Sequence, residues 1–421
     1  MNVRRHGKAQ RQGAPVRRAQ RGFSLLELMV ATVIALIASL AIFQTVSVSE
    51  ERKRSTTSGS EGLQAGVFGL SSLERAVANA GYNLMVISDP GYTSPTRLVT
   101  PGTGYTLSST NPPRPEFNIG CNFVASGITY RLAGLIATDG GGGLASDTMT
   151  IFSGSSSNVP MPALAETGGL AAGSNTIRLR SSYGFNIGDW VLAYEQSTTV
   201  NAGTTRPSNC TLAQVTALPM APAISPADIV LSVPTAALYV EPVVLNLGQT
   251  PALEQYTVDA NGRLLVQNLL TNAPAQVVSE NVVSMQLQLG IDVGNDDVID
   301  EWINPPAAAA SWLNPPNPLP QNAISALPVA VAPRALHQIK AVRVGLLVRS
   351  PQFERPDASG NCTTTPAGPF DVLPLRAGNF ASRLPTMPSS GSYNLVGDQR
   401  CFRYNAVTSV VTVRNAILSE M

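Results

Sequence analysis

The chain has few of the side chains on which common enzymes depend. Among its 421 residues the histidines are His6 and His337, and the lysines are Lys8, Lys53 and Lys340. This scarcity excludes a metal site built on several histidines, and a histidine-based triad would have to use His337 once a leader had been removed. The sequence also lacks a glycine-rich phosphate loop, a GxGxxG after a strand and a CxxC pair. We therefore predict a protein that is not an enzyme and needs no cofactor.

Charge is also scarce, because charged residues make up 13% of the chain and hydrophobic residues 44%. This balance excludes a disordered, highly charged chain, and the lack of a long heptad array excludes a coiled-coil rod. Basic residues collect in residues 1–22, which hold no acid and contain Arg4, Arg5, Lys8, Arg11, Arg17, Arg18 and Arg21. The remainder is net acidic, so the body is not predicted to bind nucleic acid.

One long apolar run follows these basic residues. Residues 23–43 read FSLLELMVATVIALIASLAIF and contain a single charge, Glu27. About 20 apolar residues cross a bilayer as a helix, and preceding basic residues keep the N-terminus in the cytoplasm. Everything after Phe43 is then expected to be exported. A carboxylate in a membrane helix costs about 2.5–3.5 kcal/mol, so Glu27 is expected to have a function and a partner.

The residues themselves leave three interpretations of this N-terminus open. It can be an ordinary secretory signal, for which Ser47-Val48-Ser49 offers a cleavage site of small residues. It can be a plain membrane anchor. It can also be a segment that is cut after Gly22, so that Phe23 becomes the new N-terminus and Glu27 the fifth residue.

The helix is expected to continue beyond the membrane. Apolar residues recur at helical spacing and predict a face under a globular domain: Leu63, Val67, Leu70, Leu73 and Val77. Four glycines interrupt the same stretch and predict a bent or locally melted helix: Gly59, Gly62, Gly66 and Gly69. Gly81 is a natural end for the helix after Ala80.

Beyond Asn83 the pattern changes to short alternating runs separated by turn clusters. Candidate strands are Thr148–Phe152, Thr176–Leu179, Trp190–Tyr194, Ile229–Val233, Ala237–Leu245, Arg263–Gln267, Val282–Leu289, Ala341–Val348 and Val407–Val413. The predicted fold class is α+β, with a long N-terminal transmembrane and amphipathic helix followed by a large antiparallel β-rich domain. The predicted divisions are a basic leader at 1–22, the helix at 23–81 with its membrane span at 23–43, and the exported domain at 82–421.

Cysteine and aspartate supply two further sets of candidate residues. The cysteines are Cys121, Cys210, Cys362 and Cys401, an even number in an exported body, which indicates disulfides and leaves three pairings open. The aspartates of residues 290–301 are Asp292, Asp296, Asp297 and Asp300. Oxygen-rich loops suit calcium, but position three of an EF-hand would be Gly294 and position twelve Ile303. A solvated hairpin turn is the preferred interpretation, and calcium a weak one.

Residues 21–28, RGFSLLEL, resemble the class III signal of type IV pilins and pseudopilins. The resemblance implies that a membrane peptidase cuts after Gly22 and that the new N-terminal residue, Phe23, is methylated. It also implies that Glu27 pairs with the terminal amine of a neighbouring subunit during assembly. The physical reason agrees, because an ammonium and a carboxylate in hydrocarbon are each costly alone and less so as a pair.

Other segments resemble PilW-type minor pilins. Leu73-Glu74-Arg75 with Ala80-Gly81-Tyr82 is similar to a segment of that family, although Arg75-Ala76 stands where the family often has Arg-Asp. Further segments similar to this family are Ser146–Ile151, Phe185–Leu192, Cys210–Thr216, Val342–Ser350, and Phe402-Arg403-Tyr404 with Val413-Arg414-Asn415.

The favoured disulfides are Cys362–Cys401, which would close a C-terminal loop as pilins often do, and Cys121–Cys210. The resemblance implies a minor pilin that helps initiate or cap pilus assembly. The expected partners are other minor pilins, the major pilin, a tip adhesin, the inner-membrane assembly platform and prepilin peptidase. The expected location is the inner membrane, with the N-terminus cytoplasmic and the body facing the periplasm, and the cell surface after assembly. The alternatives are a minor pseudopilin of type II secretion and a secreted binding or enzymatic domain with an ordinary signal.

Overall fold

A computed structural model describes residues 24–84, 122–125, 128–131, 134–141, 145–156, 162–166, 170–195, 210–219, 227–236, 238–239, 242–292, 298–305, 339–376 and 390–414. One long helix, α1, runs without interruption from Leu25 to Asn79. The expected local melting at the glycines of α1 is therefore wrong. The contacts of the chain divide it into two units, residues 1–56 and residues 57–421.

In the second unit, the C-terminal part of α1 packs against a four-stranded antiparallel sheet. Its strands, in spatial order, are β15 (Glu301–Ile303), β14 (Val282–Ile291), β16 (Ile339–Arg349) and β19 (Tyr404–Thr412). β14 and β16 are buried along nearly their whole length, because each has a strand on both sides and is covered on both faces. Leu73 and Val77 of α1 join them in the main core.

A second antiparallel sheet shares this core. In spatial order it consists of β13 (Gln276–Glu280), β12 (Arg263–Asn268), β11 (Ala252–Val258), β4 (Thr148–Ser153) and β3 (Leu135–Thr138). Met149, Ile151 and Tyr256 bury their side chains with the α1 residues. The two sheets and the helix thus form one α+β body, which confirms the predicted fold class.

Between β4 and β11 the chain builds a separate six-stranded sheet. Its spatial order is β5 (Ala163–Leu164), β10 (Pro242–Gly248), β7 (Trp190–Glu195), β8 (Thr211–Ala217), β9 (Ala227–Leu231) and β6 (Thr176–Leu179). The sheet closes on itself, because Arg180 N donates to Leu164 O at 3.0 Å and Glu166 N donates to Arg178 O at 2.9 Å. Closure leaves no edge strand.

This barrel has a core of its own, filled by alternate residues such as Val191, Ala193 and Val244. The residues between them, Leu192 and Leu245, point outward into another cluster that includes Phe152 and Leu253 of β4 and β11. β4 and β11 pair directly, from Ser153 with Ala252 to Met149 with Tyr256. The barrel is therefore an insertion between two hydrogen-bonded strands of the second sheet.

Two short hairpins complete the described fold. β1 (Asn122–Ala125) pairs with β2 (Ile128–Arg131), and β17 (Phe370–Leu373) pairs with β18 (Ser390–Tyr393). The second hairpin covers the face of the main sheet opposite α1, where Leu347, Val372 and Leu395 cluster. A short 3₁₀ helix at Gly397–Cys401 leads into β19.

Candidate assembly site and the body that carries it

The membrane-type segment of α1 contains Glu27 in its first turn. Leu25–Ser47 is long and apolar enough to cross a membrane, and none of it is buried against the rest of the described chain. α1 begins directly after Ser24, whose carbonyl accepts a hydrogen bond from Leu28 N at 3.1 Å. An acidic side chain near a helix N-terminus interacts favourably with the helix dipole. Gly22 and Phe23 lie outside the described residues, so cleavage and methylation there stay predictions.

Three hydroxyl groups of this segment are satisfied within the helix. Thr32 donates to Met29 O at 2.8 Å, Thr45 to Ala41 O at 2.9 Å and Ser47 to Gln44 O at 2.9 Å. Such bonds let hydroxyl groups enter hydrocarbon without leaving a donor unpaired. Glu27 is the one ionisable side chain between Phe23 and Phe43, and it is exposed. A partner from another molecule would therefore reach it freely.

In the body, α1 contacts the main sheet through glycine rather than through the apolar stripe expected near its middle. A Cβ placed on Gly62 would stand 2.7 Å from Arg349 O, and one on Gly66 would stand 3.0–3.1 Å from Val348 and Val407. Leu63 and Val67 are instead exposed, by 44% and 54%. The predicted burial of Leu70, Leu73 and Val77 is confirmed, and that of Leu63 and Val67 is wrong.

Asp147 joins the loop between β3 and β4 to the middle of β14. Its two carboxyl oxygens accept backbone hydrogen bonds from Leu287 N at 2.7 Å and Gly140 N at 3.1 Å. Its own N–H donates to Met285 O at 2.8 Å. Burial disfavours the charged carboxylate more strongly than these bonds favour it, and raises the pKa of Asp147 to about 7. Asp147 thus fastens the two sheets together with a group that titrates near neutral pH.

A buried polar pair crosses the main sheet between β14 and β16. Arg343 Nη1 donates to Gln288 Oε1 at 2.9 Å, and Nη2 donates to Pro374 O at 2.6 Å. Burial lowers the pKa of the Arg343 guanidinium. A buried charge must be hydrogen-bonded to be tolerated, so these contacts fix the segment after β17 against the sheet.

The cysteine predictions have two outcomes. The disulfide Cys362–Cys401 is present and confirms the predicted C-terminal loop. Cys210 is disulfide-bonded as well, but its predicted partner Cys121 lies outside the described residues. The pairing Cys121–Cys210 therefore stays a prediction.

The weak calcium prediction gains no support. Asp292 is fully buried at the end of β14, and Asp300 N donates to Ile291 O at 2.9 Å. Asp296 and Asp297 lie outside the described residues, and the described part of the chain contains no cluster of three metal-binding side chains. β14 and β15 pair antiparallel on either side of this segment, as the preferred hairpin interpretation requires.

Two family models match the chain. Residues 17–43 match the prokaryotic N-terminal methylation motif, and residues 243–415 match type IV pilus-assembly protein W, PilW. Together with the helix and its β-rich body, these matches make the chain similar to the type IV pilin-like proteins. Within that class they support a PilW-type minor pilin that is processed as a prepilin. No curated protein and no solved structure matches the chain.

The PilW match begins inside β10 and includes β11 to β19. The similar segments at Ser146–Ile151 and Phe185–Leu192 lie outside it, as does most of the inserted barrel.

Sequence reasoning missed the roles of Gly62 and Asp147. The available signal was the three- and four-residue spacing of Gly59, Gly62, Gly66 and Gly69, which repeats on one helix face. For Asp147, no local sequence pattern predicts its hydrogen bond with Leu287 of β14.

Proposed function

We propose that this minor pilin takes part in starting type IV pili and stays at the pilus tip. The observation that carries the proposal is the size of its body: a closed barrel with its own core is inserted between β4 and β11 of a PilW-type domain. Subunits inside a helical filament contact neighbours on several sides, so a barrel added on one of those sides would obstruct repeated packing. An end position leaves such a barrel room.

Glu27 would join the protein to the subunit beside it. The mature N-terminus at Phe23 carries an ammonium group, and Glu27 is the single carboxylate of the apolar segment. In hydrocarbon each charge alone is costly, and a pair between neighbouring subunits lowers that cost. The pair would also fix the axial register of the two helices, because no other charge in residues 23–43 competes for either group.

Before assembly the protein would be inserted in the inner membrane, with its body facing the periplasm. After assembly it would lie at the cell surface. Its partners would be other minor pilins, the major pilin, a tip adhesin and the assembly platform, and prepilin peptidase would process it. No catalytic step is assigned to it. The alternative of a minor pseudopilin is kept, because the N-terminal motif is shared by both systems.

The test is to delete the protein and to count and measure surface pili by electron microscopy. An initiating tip subunit predicts far fewer pili of nearly normal length, restored by the wild-type chain. Normal pilus numbers with lost export of secreted proteins would favour the pseudopilin alternative. Pili of normal number but reduced length would contradict a role in initiation.

A further inference from the structure

A cavity of about 270 Å³ lies where the second sheet meets the edge of β14. Two segments of the second sheet cover this edge. At the turn between β11 and β12, Gly262 O accepts a hydrogen bond from Val282 N at 2.9 Å. Just before β4, Ser146 Oγ accepts one from Met285 N at 2.8 Å. Val283 lies between these two positions in β14 and lines the gap that they leave.

The lining of this cavity is partly apolar and partly charged. Val258, Ala260 and Val283 form its apolar part, and its charged residues are Asp259 and Arg349. Every lining residue belongs to the described part of the chain, so the walls are defined. The volume is just below the ~300–1,000 Å³ of pockets for drug-sized ligands, so the cavity suits a smaller molecule or the end of a chain.

The carboxylate of Asp259 is already paired within its own turn. Its Oδ2 accepts hydrogen bonds from Arg263 Nε at 2.8 Å and from Arg263 Nη2 at 2.7 Å. Its Oδ1 accepts from Asn261 N at 3.0 Å and from Arg263 N at 2.9 Å. The side-chain hydrogen bond from Arg263 is the main cause that lowers the pKa of Asp259. Asp259 is therefore ionised, and Arg263 balances its charge.

Arg349 supplies the other charge of the lining, and no carboxylate of the described residues forms an ion pair with it. Its guanidinium carbon lies 4.7 Å from the centre of the Phe402 ring. Burial raises the pKa of Tyr404, and the neighbouring Arg349 cation opposes that rise. Contact with a ring uses the face of a guanidinium and leaves the N–H groups in its plane for an acceptor. Arg349 is thus held in place and can still bind an anion.

We propose that this cavity binds a small organic monocarboxylate, with the carboxylate on Arg349 and a short apolar part against Val258 and Val283. A planar guanidinium matches the two oxygens of a carboxylate with parallel hydrogen bonds. One negative charge balances the charge of Arg349, whereas a phosphate dianion would exceed it beside Asp259. Short free acids and the C-terminal end of a polypeptide both have this chemistry.

The experiment titrates butyrate and N-acetyl-leucine into the processed full-length protein in detergent and follows binding by saturation-transfer NMR, with a detergent-only blank. The uncharged amides of the two acids, butyramide and N-acetyl-leucinamide, are the matched probes. The proposal predicts saturable binding of at least one acid, with a dissociation constant on the order of millimolar, and binding of its amide about tenfold weaker. Tighter binding of N-acetyl-leucine identifies a chain end as the source, and tighter binding of butyrate a free acid. Equal binding of acid and amide, or no saturable binding of either acid, would overturn the proposal.

Two matched pairs of variants locate the binding. Arg349→Gln should weaken it about tenfold, whereas Arg355→Gln, which removes an equal charge at an exposed position outside the lining, should leave it unchanged. If Arg349→Gln does not fold, Ala260→Glu keeps the test decisive, because it places a negative charge at an exposed position of the lining and leaves Arg349 intact. Ala260→Glu should weaken binding about fivefold, and Ala275→Glu, exposed and outside the lining, should not. Equal affinities within either pair would contradict the assignment of the cavity.

Discussion

Gly62 of α1 lies directly against the backbone carbonyl of Arg349 in β16, where a Cβ would stand 2.7 Å from the oxygen. The helix can approach the sheet this closely only where it has no side chain. Gly66 and Gly69 extend the same contact along β16 toward Leu346. Glycine costs an isolated helix about 1 kcal/mol relative to alanine, and the packing of the sheet offsets that cost here.

Replacing Gly62 by alanine should therefore destabilise the body, although alanine is the better helix former. We expect a loss of about 1–3 kcal/mol in the free energy of unfolding, because the obstructing atom belongs to the backbone. Gly59→Ala is the matched control: its Cβ would meet the Arg403 side chain at 3.7 Å, an ordinary contact. Chemical denaturation should show Gly59→Ala as neutral or stabilised. Equal losses for both variants would contradict the packing account.

Asp147 should make stability depend on pH. Its pKa is about 7 in the folded protein and 3.8 in the unfolded reference. Between these values the folded state holds a proton that the unfolded state has lost, so the free energy of unfolding falls as pH rises from about 4 to 7 and levels off above. The measurement is the denaturation midpoint across this range for wild type and Asp147→Asn.

Asp147→Asn should remove this part of the pH dependence. It should also cost about 1–3 kcal/mol at pH 4, because the amide can accept only one of the two N–H bonds from Gly140 and Leu287. Asp371→Asn, at an exposed position, is the control and should follow the wild-type profile. Parallel profiles for wild type and Asp147→Asn would show that Asp147 does not titrate in this range.

The disulfide Cys362–Cys401 closes a segment that contains the β17–β18 hairpin and the 3₁₀ helix. Replacing both cysteines by serine should lower the free energy of unfolding by about 2–4 kcal/mol, chiefly by freeing the unfolded chain. Alkylation with mass spectrometry should find no reactive thiol in the protein taken from the cell envelope. Four alkylated cysteines without prior reduction would contradict both predicted bridges.

Processing should depend on the residue before the cleaved bond. We expect that a bulky residue in place of Gly22, such as Gly22→Trp, blocks removal of the basic leader. Mass spectrometry of the wild-type protein should give an N-terminal peptide that begins with methylated Phe23. A start near Glu50 would instead indicate an ordinary secretory signal.

The sequence predicted the elements whose signals are local. The length and composition of the apolar segment with Glu27 are enough to recognise it as a membrane-type helix. The predicted strand Thr176–Leu179 has the same bounds as β6, because exposed and buried residues alternate along all of it. β8, β11 and β13 were missed, since Thr211–Ala217, Ala252–Val258 and Gln276–Glu280 mix polar and apolar residues on half-buried faces. Their pairing partners decide their conformation.

Long-range contacts explain the remaining differences. Barrel closure depends on Leu164 meeting Arg180, and no local signal in either segment indicates the other. The predicted melting of α1 at its glycines relies on helix propensity alone. Propensity takes no account of the close contact between Gly62 and the carbonyl oxygen of Arg349. The burial of Asp147 likewise depends on β14, 140 residues further along the chain. Tertiary contact outweighs local preference at each of these positions.

The central claim is that Glu27 joins this subunit to its neighbour at the start of a pilus. Glu27→Ala should still insert and be cleaved, because removing a charge makes the segment more apolar. Loss of the pair with a terminal ammonium should cost about 3–5 kcal/mol and lower initiation. The measurement is the number of surface pili per cell in a Glu27→Ala strain with wild-type protein levels. The account predicts far fewer pili of nearly normal length, whereas wild-type numbers with the variant recovered in sheared pili would contradict it.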